Sequence, residues 1–296
     1  MNGKRPYKLP EPLLCSADEE INMTLVDEYI RKHEERMSRY SYLENLYKGF
    51  HDVFRLPEKE KWKPDNRLAV NFPRYITETF LGYAYGIPIK KSHPDANIKD
   101  AILEFDRDND ISDQEYELAK KCCIYGHAFE YFYQDEEAKT KTVICNPKEL
   151  FVVYDDTVKN RALFAVRYGK RDDNVTRYGE ILTRAEIIPF EGEKMQESAP
   201  NPYGRINCVE YLLNDERIGL YEEVAGMVEV YNRVIGEKAN DVDSFAEAYL
   251  AVLGAELDEE GVYKIRDNRI INLYGTDNAK DIIVQFLGKP TADGTQ

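Results

Sequence analysis

The sequence predicts an α+β fold, with helices at both ends and an antiparallel, β-rich middle. Apolar residues recur at helical spacing from Val26 to Tyr47. Between Ala128 and Leu213, short runs of Val, Ile, Phe and Tyr are separated by Asn, Asp, Gly and Pro turns. Helical spacing returns from Leu220 onward. The chain has 296 residues, 43% hydrophobic and 32% charged, which is enough to bury a core and too apolar for general disorder.

Residues 1–15 carry Pro6, Pro10 and Pro12 and read as an extended arm. Ser16 and Glu19 form an S-x-x-E capping box, so a helix is expected from Ser16. Its apolar stripe is Val26, Ile30, His33, Met37, Tyr40 and Tyr47, ending near Gly49. Asp27, Arg31, Lys32, Glu34 and Glu35 cover the other side, and His33 reads as a packed histidine rather than a ligand. Residues 51–65 are loop-like. A short strand and then a helix from about Pro73 are expected over 66–85, stopped by Gly82–Gly86 and Pro88.

Ser112 and Glu115 repeat the capping box before a helix at about 113–124, with Tyr116, Ala119 and Cys123 inward and Gly126 breaking it. Strands are expected at 128–134, 141–145, 150–154, 162–168, 174–178, 180–183, 186–190 and 208–213, with a loop at 191–206. A helix is expected over 220–239, with Val224, Met227, Val228, Tyr231 and Ile235 on one side. Asn240 is expected to cap a further helix with the stripe Val242, Phe245, Ala246, Tyr249, Leu250 and Leu253, ended by Gly254. The tail over 262–287 offers three weak strands.

Forty Lys and Arg against 55 Asp and Glu give a net charge of −15. That argues against tight wrapping of nucleic acid, which draws on clustered cations, but allows DNA to slide past. No apolar run reaches the roughly 18–20 residues of a membrane helix. Lys4, Arg5 and Lys8 have no apolar core behind them, so the start does not read as a signal peptide and a cytoplasmic origin is expected. Cys15, Cys122, Cys123, Cys145 and Cys208 are scattered, without a C-x-x-C pair, and suggest neither a disulfide framework nor a zinc site. The 22 tyrosines read first as ordinary strand residues and also suit subunit interfaces.

Catalytic constellations are sparse. There is no phosphate-cradling glycine loop and no nucleophile elbow, and His33, His51, His93 and His127 share no metal spacing. Asp135, Glu137 and Lys139 form a D-x-E-x-K string that could hold Mg²⁺ for phosphodiester cleavage, but it also reads as a solvated hairpin turn. Asp155-Asp156 and Asp172-Asp173 read as turns. Cys122-Cys123 before His127 could suggest a thiol nucleophile; on a buried helix stripe it reads as structural.

Several strings together resemble the phage portal proteins of the SPP1-like family. They are Asn66 to Ile76 with Gly82-Tyr83-Ala84-Tyr85-Gly86-Ile87-Pro88, Tyr125-Gly126-His127-Ala128-Phe129-Glu130, and Pro147 with Phe151-Val152-Val153-Tyr154-Asp155. Glu210 to Asp215, Glu222 to Asn232, and Ala239-Asn240-Asp241 to Leu250 complete the order. The resemblance implies a portal-type subunit with a helical and antiparallel β-rich wing over 16–213, a stem-like helix within 214–239, and a partial clip over 240–296. It implies a non-enzymatic virion protein, without cofactor, catalytic residues or metal. Such subunits form a ring, usually of twelve, at one capsid vertex. The ring packages and ejects double-stranded DNA, and is made in the host cytoplasm. Its partners are itself, terminase, capsid and scaffolding proteins, and head-completion or adaptor proteins, with no membrane. Portals of this type run on into a second stem helix, a channel loop and a crown, so the C-terminal part of the family is expected to be missing here.

Arg233 and Lys238 are the candidates to face DNA, although as charges near a helix C-terminus they could simply favour the helix dipole. Two rival readings differ in class. A metal-dependent nuclease or DNA-processing enzyme would use Asp135, Glu137 and Lys139, and its Mg²⁺-dependent cutting would vanish in Glu137→Ala. A non-phage interaction module built on the tyrosine-rich sheet would be absent from purified virions.

Overall fold

The computed structural model describes residues 7, 10–60, 63–173, 175–246, 249–253 and 283–287. Its helices are α1 (Met23–Glu34), α2 (Met37–Lys48), α3 (Phe72–Tyr85), α4 (Ala96–Asp108), α5 (Ile111–Tyr125) and α6 (Ala225–Ala246). Its strands are β1 (Leu13–Cys15), β2 (His127–Gln134), β3 (Thr140–Cys145), β4 (Leu150–Asp155), β5 (Ala162–Lys170), β6 (Arg177–Leu182), β7 (Glu186–Glu191), β8 (Lys194–Met195), β9 (Ala199–Pro200), β10 (Cys208–Leu212), β11 (Tyr249–Leu253) and β12 (Ile283–Leu287). The mixture of helix and sheet is the expected α+β class. The chain divides into two units, Met1–Phe54 with Val70–Val230, and Arg55–Ala69 with Tyr231–Gln296.

In the first unit, a seven-stranded sheet runs β1-β4-β5-β6-β7-β8, with β9 also on β7. All its pairings are antiparallel except β1 on β4. A second sheet runs β10-β2-β3 and is antiparallel. β4 explains how the two meet. Its side chains alternate, so Phe151 and Val153 pack with Val26, Tyr29 and Ile30 of α1, while Leu150 and Val152 pack with Phe129, Cys145 and Cys208 of the second sheet. The strand is therefore apolar on both faces. Each large side chain so buried contributes about 1.5–3 kcal/mol. Another cluster joins α2 to α5 and the start of α6 through Tyr40, Leu43, Leu46, Ile124, Tyr125, Tyr221 and Ala225. Leu81 of α3 packs on Ala119 and Cys123 of α5.

Several boundaries differ from those expected. The first helix starts at Met23, not Ser16, because Leu13 and Cys15 are drawn into β1 and the core. Its cap is Asn22, whose Oδ1 accepts from Leu25 N at 3.0 Å. The helical stretch is broken after Glu34 and resumes at Met37, then ends at Gly49 as expected, with φ 85°. No strand forms over 66–71; Asn71 Oδ1 instead accepts from Arg74 N at 3.1 Å and caps α3, with Pro73 in its first turn. α4 was not expected at all, although Asp95 caps it through Asn97 N at 2.8 Å. α5 begins at Ile111 after Asp110, so Ser112 does not cap it, and Glu115 pairs with Lys91 at 3.1 Å.

The expected strands 174–178 and 180–183 are one strand, β6. Gly179 does not interrupt it: a Cβ there would lie 2.1 Å from the Arg167 carbonyl oxygen, so glycine lets β6 come close to β5. Within the expected loop 191–206, β8 and β9 extend β7.

In the second unit, Asn240 does not start a new helix. α6 runs through it to Ala246, and 249–253 is strand β11, antiparallel to β12. Asn240 spends its side chain on a distant backbone group instead of a cap, as described next. Of the expected tail strands, the 283–287 portion is β12; the rest of 262–287, like Gly254, lies outside the described residues.

Candidate functional site

α6 carries both candidate cations, and its packing decides where they point. In the second unit, Asn232, Gly236 and Asn240 are buried, and their four-residue spacing puts them on one face. The expected apolar stripe is not the buried one. Val224, Met227 and Tyr231 are exposed, whereas Val228 is buried. From Tyr231 onward, in the second unit, the buried face meets a stretch of backbone at Asn66 rather than an apolar surface.

Asn66 N–H donates to Asn240 Oδ1 at 2.6 Å, and Asn66 Nδ2 donates to Asp243 Oδ2 at 2.5 Å. A Cβ on Gly236 would lie 2.8 Å from the Asn66 carbonyl oxygen, so the approach needs glycine. Lys59 Nζ donates to both Glu237 carboxylate oxygens at 3.0 Å. That bond holds the Glu237 carboxyl below the usual range against a smaller upward push from burial, with Arg233 adding a weaker pull.

Arg233 and Lys238 are both exposed. Five residues apart, they lie about 140° from each other around the axis, so they do not share a face. Because α6 continues to Ala246, neither is in its last turn, and the dipole, which acts within that turn, does not account for them.

In the first unit, the root of α6 is held by buried charge. Arg39 of α2 donates through Nε to Glu222 Oε1 at 2.8 Å and through Nη2 to Glu222 Oε2 and the Arg217 carbonyl. Gly219 N–H donates to Glu222 Oε2 at 2.8 Å. Glu229, one turn into α6, accepts from His51 Nδ1 and Asp52 N, both at 3.0 Å.

Beside this lies a second cluster. Arg217 donates to both oxygens of Glu210 at 2.8 and 2.9 Å. His127 Nδ1 donates to Glu210 Oε1 at 2.6 Å, and Tyr40 OH donates to His127 Nε2 at 2.8 Å. Burial alone would raise the Glu210 pKa, but the bonds from His127 and Arg217 win and hold it far below the usual range. Burial keeps His127 neutral despite that carboxylate. Gly126, at φ 87°, allows this turn to close, since a Cβ there would lie 2.0 Å from the Arg217 carbonyl oxygen.

The other singled-out residues are structural. Asp135 Oδ1 accepts from Glu137 N at 3.0 Å and Lys139 N at 2.9 Å, so its carboxylate closes the β2–β3 turn. Lys139 Nζ pairs with Glu137 at 3.1 Å on the surface. Asp155 and Asp173 close turns in the same way, onto Thr157 N and onto Val175 and Thr176 N. Cys122 and Cys123 are buried, and loss of solvent pushes both thiols up to about 12, so neither is a ready thiolate at neutral pH. His33 donates from Nε2 to the Pro147 carbonyl at 2.8 Å and accepts at Nδ1 from Tyr168 OH at 2.9 Å. Burial pushes its pKa down to about 3. Among the described residues, no group of three or more His, Cys, Asp or Glu could hold a metal ion, and no helix is long and apolar enough to cross a membrane.

Sequence reasoning missed the Asn232–Gly236–Asn240 face and the carboxylates Glu210 and Glu222. The four-residue spacing was a visible signal for the first; nothing local marked the second.

Comparison with known proteins gives three findings. The family model described as phage portal protein, SPP1 Gp6-like, matches residues 26–296. The portal protein of Bacillus phage SPP1 is 21% identical over 271 residues, covering 81% of this chain and 53% of that protein. The chain thus spans about half the length of that curated relative. A solved structure, the neck of an empty GTA particle computed with C6 symmetry, superposes with a TM-score of 0.47 at 9% identity, covering 75% of this chain and 60% of that one.

Proposed function

The chain belongs to the SPP1 Gp6-like family of phage portal proteins, and from that premise we propose that it acts as one subunit of a ring at a capsid vertex, through which DNA is packaged and ejected. The observation that carries this reading is the extent of the family match, which takes in nearly the whole chain from residue 26. In this reading residues 16–213 are the wing, α6 is the stem helix, running on to Ala246 rather than ending at 239 as expected, and the clip begins after it. Terminase, capsid, scaffolding and adaptor proteins are its docking partners, the ring has about twelve copies, and the subunit has no catalytic step of its own.

The physical chemistry supports a conduit. A chain with a net charge of −15 repels DNA on average and so lets it slide, while isolated cations give brief contact. Arg233 and Lys238 are our candidates for that contact. Their separation around α6 favours one of them facing DNA and the other facing elsewhere.

Native mass spectrometry with electron microscopy of the same sample tests the assembly. Closed rings are expected; a chain that stays monomeric at every concentration overturns the ring. In rings, reversing Arg233 or Lys238 to Glu separately is expected to change DNA retention for one residue only. Equal retention in both variants removes these residues from the role.

A further inference from the structure

The exposed face of α3 meets no partner among the described residues of the first unit. Tyr75, Thr79, Gly82 and Tyr83 lie on it at helical spacing, and Ile87 follows beyond the helix end. Tyr75 is 68% exposed, Tyr83 92% and Ile87 79%. Two glycines sit here for different reasons. A Cβ on Gly86 would lie 2.3 Å from the Gly82 carbonyl oxygen, so the chain itself requires glycine there. A Cβ on Gly82 would meet nothing within 4 Å. Glycine inside a helix is disfavoured, and nothing within this fold repays it at Gly82.

A second exposed face lies at the root of α6. Glu223, Gly226, Met227 and Val230 share it, with Met227 73% exposed and Val230 50%. Gly226 likewise has open space above it. The two faces are complementary in charge. Lys90 and Arg74, the latter 3.9 Å from Glu78 on its own helix, are exposed beside the α3 face, and Glu223 is exposed on the α6 face.

We propose that these two faces meet between neighbouring copies, the α3 face of one subunit packing on the α6 root of the next. This rests on the ring reading above. A ring of identical subunits needs two different surfaces on each copy, and these are two apolar, oppositely rimmed helix faces. The open space above Gly82 lets the neighbouring helix approach closely, and Tyr75 and Tyr83 supply large rigid contact area on either side of it.

The test uses the whole chain. Gly82→Leu fills the open face without touching the fold, so its Tm is expected to equal or exceed that of the parent while the ring fraction in native mass spectra falls at least tenfold. Gly82→Ala is expected to do the same more weakly. Independently, the pair Tyr83→Cys and Met227→Cys is expected to give a disulfide-linked ladder of multimers on oxidation, which neither single variant gives.

Rings retained in Gly82→Leu, with no ladder from the pair, overturn this surface and leave the ring reading standing. A dimer from Tyr83→Cys alone shows like-to-like contact and also overturns it. A parent chain that never forms rings removes the ring reading, and this surface with it.

Discussion

The unit that carries the sheets and the unit that carries most of α6 hold their non-local contacts by different means. In the first, Arg39 and Glu222 are ionised groups shut away from water, tied to each other and to backbone groups at Arg217 and Gly219. In the second, the stretch containing Asn66 is held by amide side chains, an absent side chain at Gly236 and the outer ion pair Lys59–Glu237. A buried pair is costly to break because the survivor is left charged in a poor solvent. A half-exposed pair is screened by water and contributes little. The first unit should therefore fail sharply when one atom group is removed, and the second should loosen by degrees.

Arg39→Ala is the largest test. It leaves Glu222 without its cation and should cost about 3–5 kcal/mol, read as a lower urea midpoint. A loss below about 1 kcal/mol, the range of a surface pair, would break the contrast. Gly236→Val comes next. Its Cβ would meet the Asn66 carbonyl, so the expected cost is about 1–3 kcal/mol, with faster amide exchange around residue 66 as the local sign. Equal exchange in parent and variant would sink this account of the second unit.

The smallest effect, taken over a single unit of pH, is that of His33. His33 titrates near 6.5 when unfolded and at about 3 when folded, so the unfolded chain binds the extra proton between those values. Stability should be complete above pH 6.5 and fall by about 1.4 kcal/mol for each unit below it, from this one group. His33→Gln should flatten that slope between pH 6 and 5 in denaturation curves. An unchanged slope would show that His33 is not the group responsible.

The sequence made some of this legible and hid the rest for physical reasons. Gly49 and Gly126 read as helix ends and are, because the left-handed backbone they adopt is a local property. The β4 run of apolar residues reads as strand for the same reason. Ser16 misleads because Leu13 and Cys15 just before it are drawn into β1, and Asn240 because a capping side chain has other uses. Asn240 bonds a backbone group 174 residues away, and no local pattern announces such a partner. α4 is legible in the sequence, since Ile98, Ile102 and Phe105 recur at helical spacing behind the Asp95 cap, so nothing physical hid it. At the site, the separation of Arg233 and Lys238 around the axis is already readable from the expected helix, but that neither lies in its last turn is clear only once α6 runs on to Ala246. Glu210 and Glu222 look like any other surface acids until Arg217 and Arg39 close over them.

The five buried thiols carry a practical consequence. Loss of solvent raises the pKa of every one of them, so at neutral pH the folded chain presents no reactive thiolate of its own. A single cysteine introduced on the surface is then the sole fast target for a maleimide dye. The native chain, with no cysteine removed, is ready for one-site fluorescent labelling, and energy transfer between singly labelled copies can follow assembly as it happens.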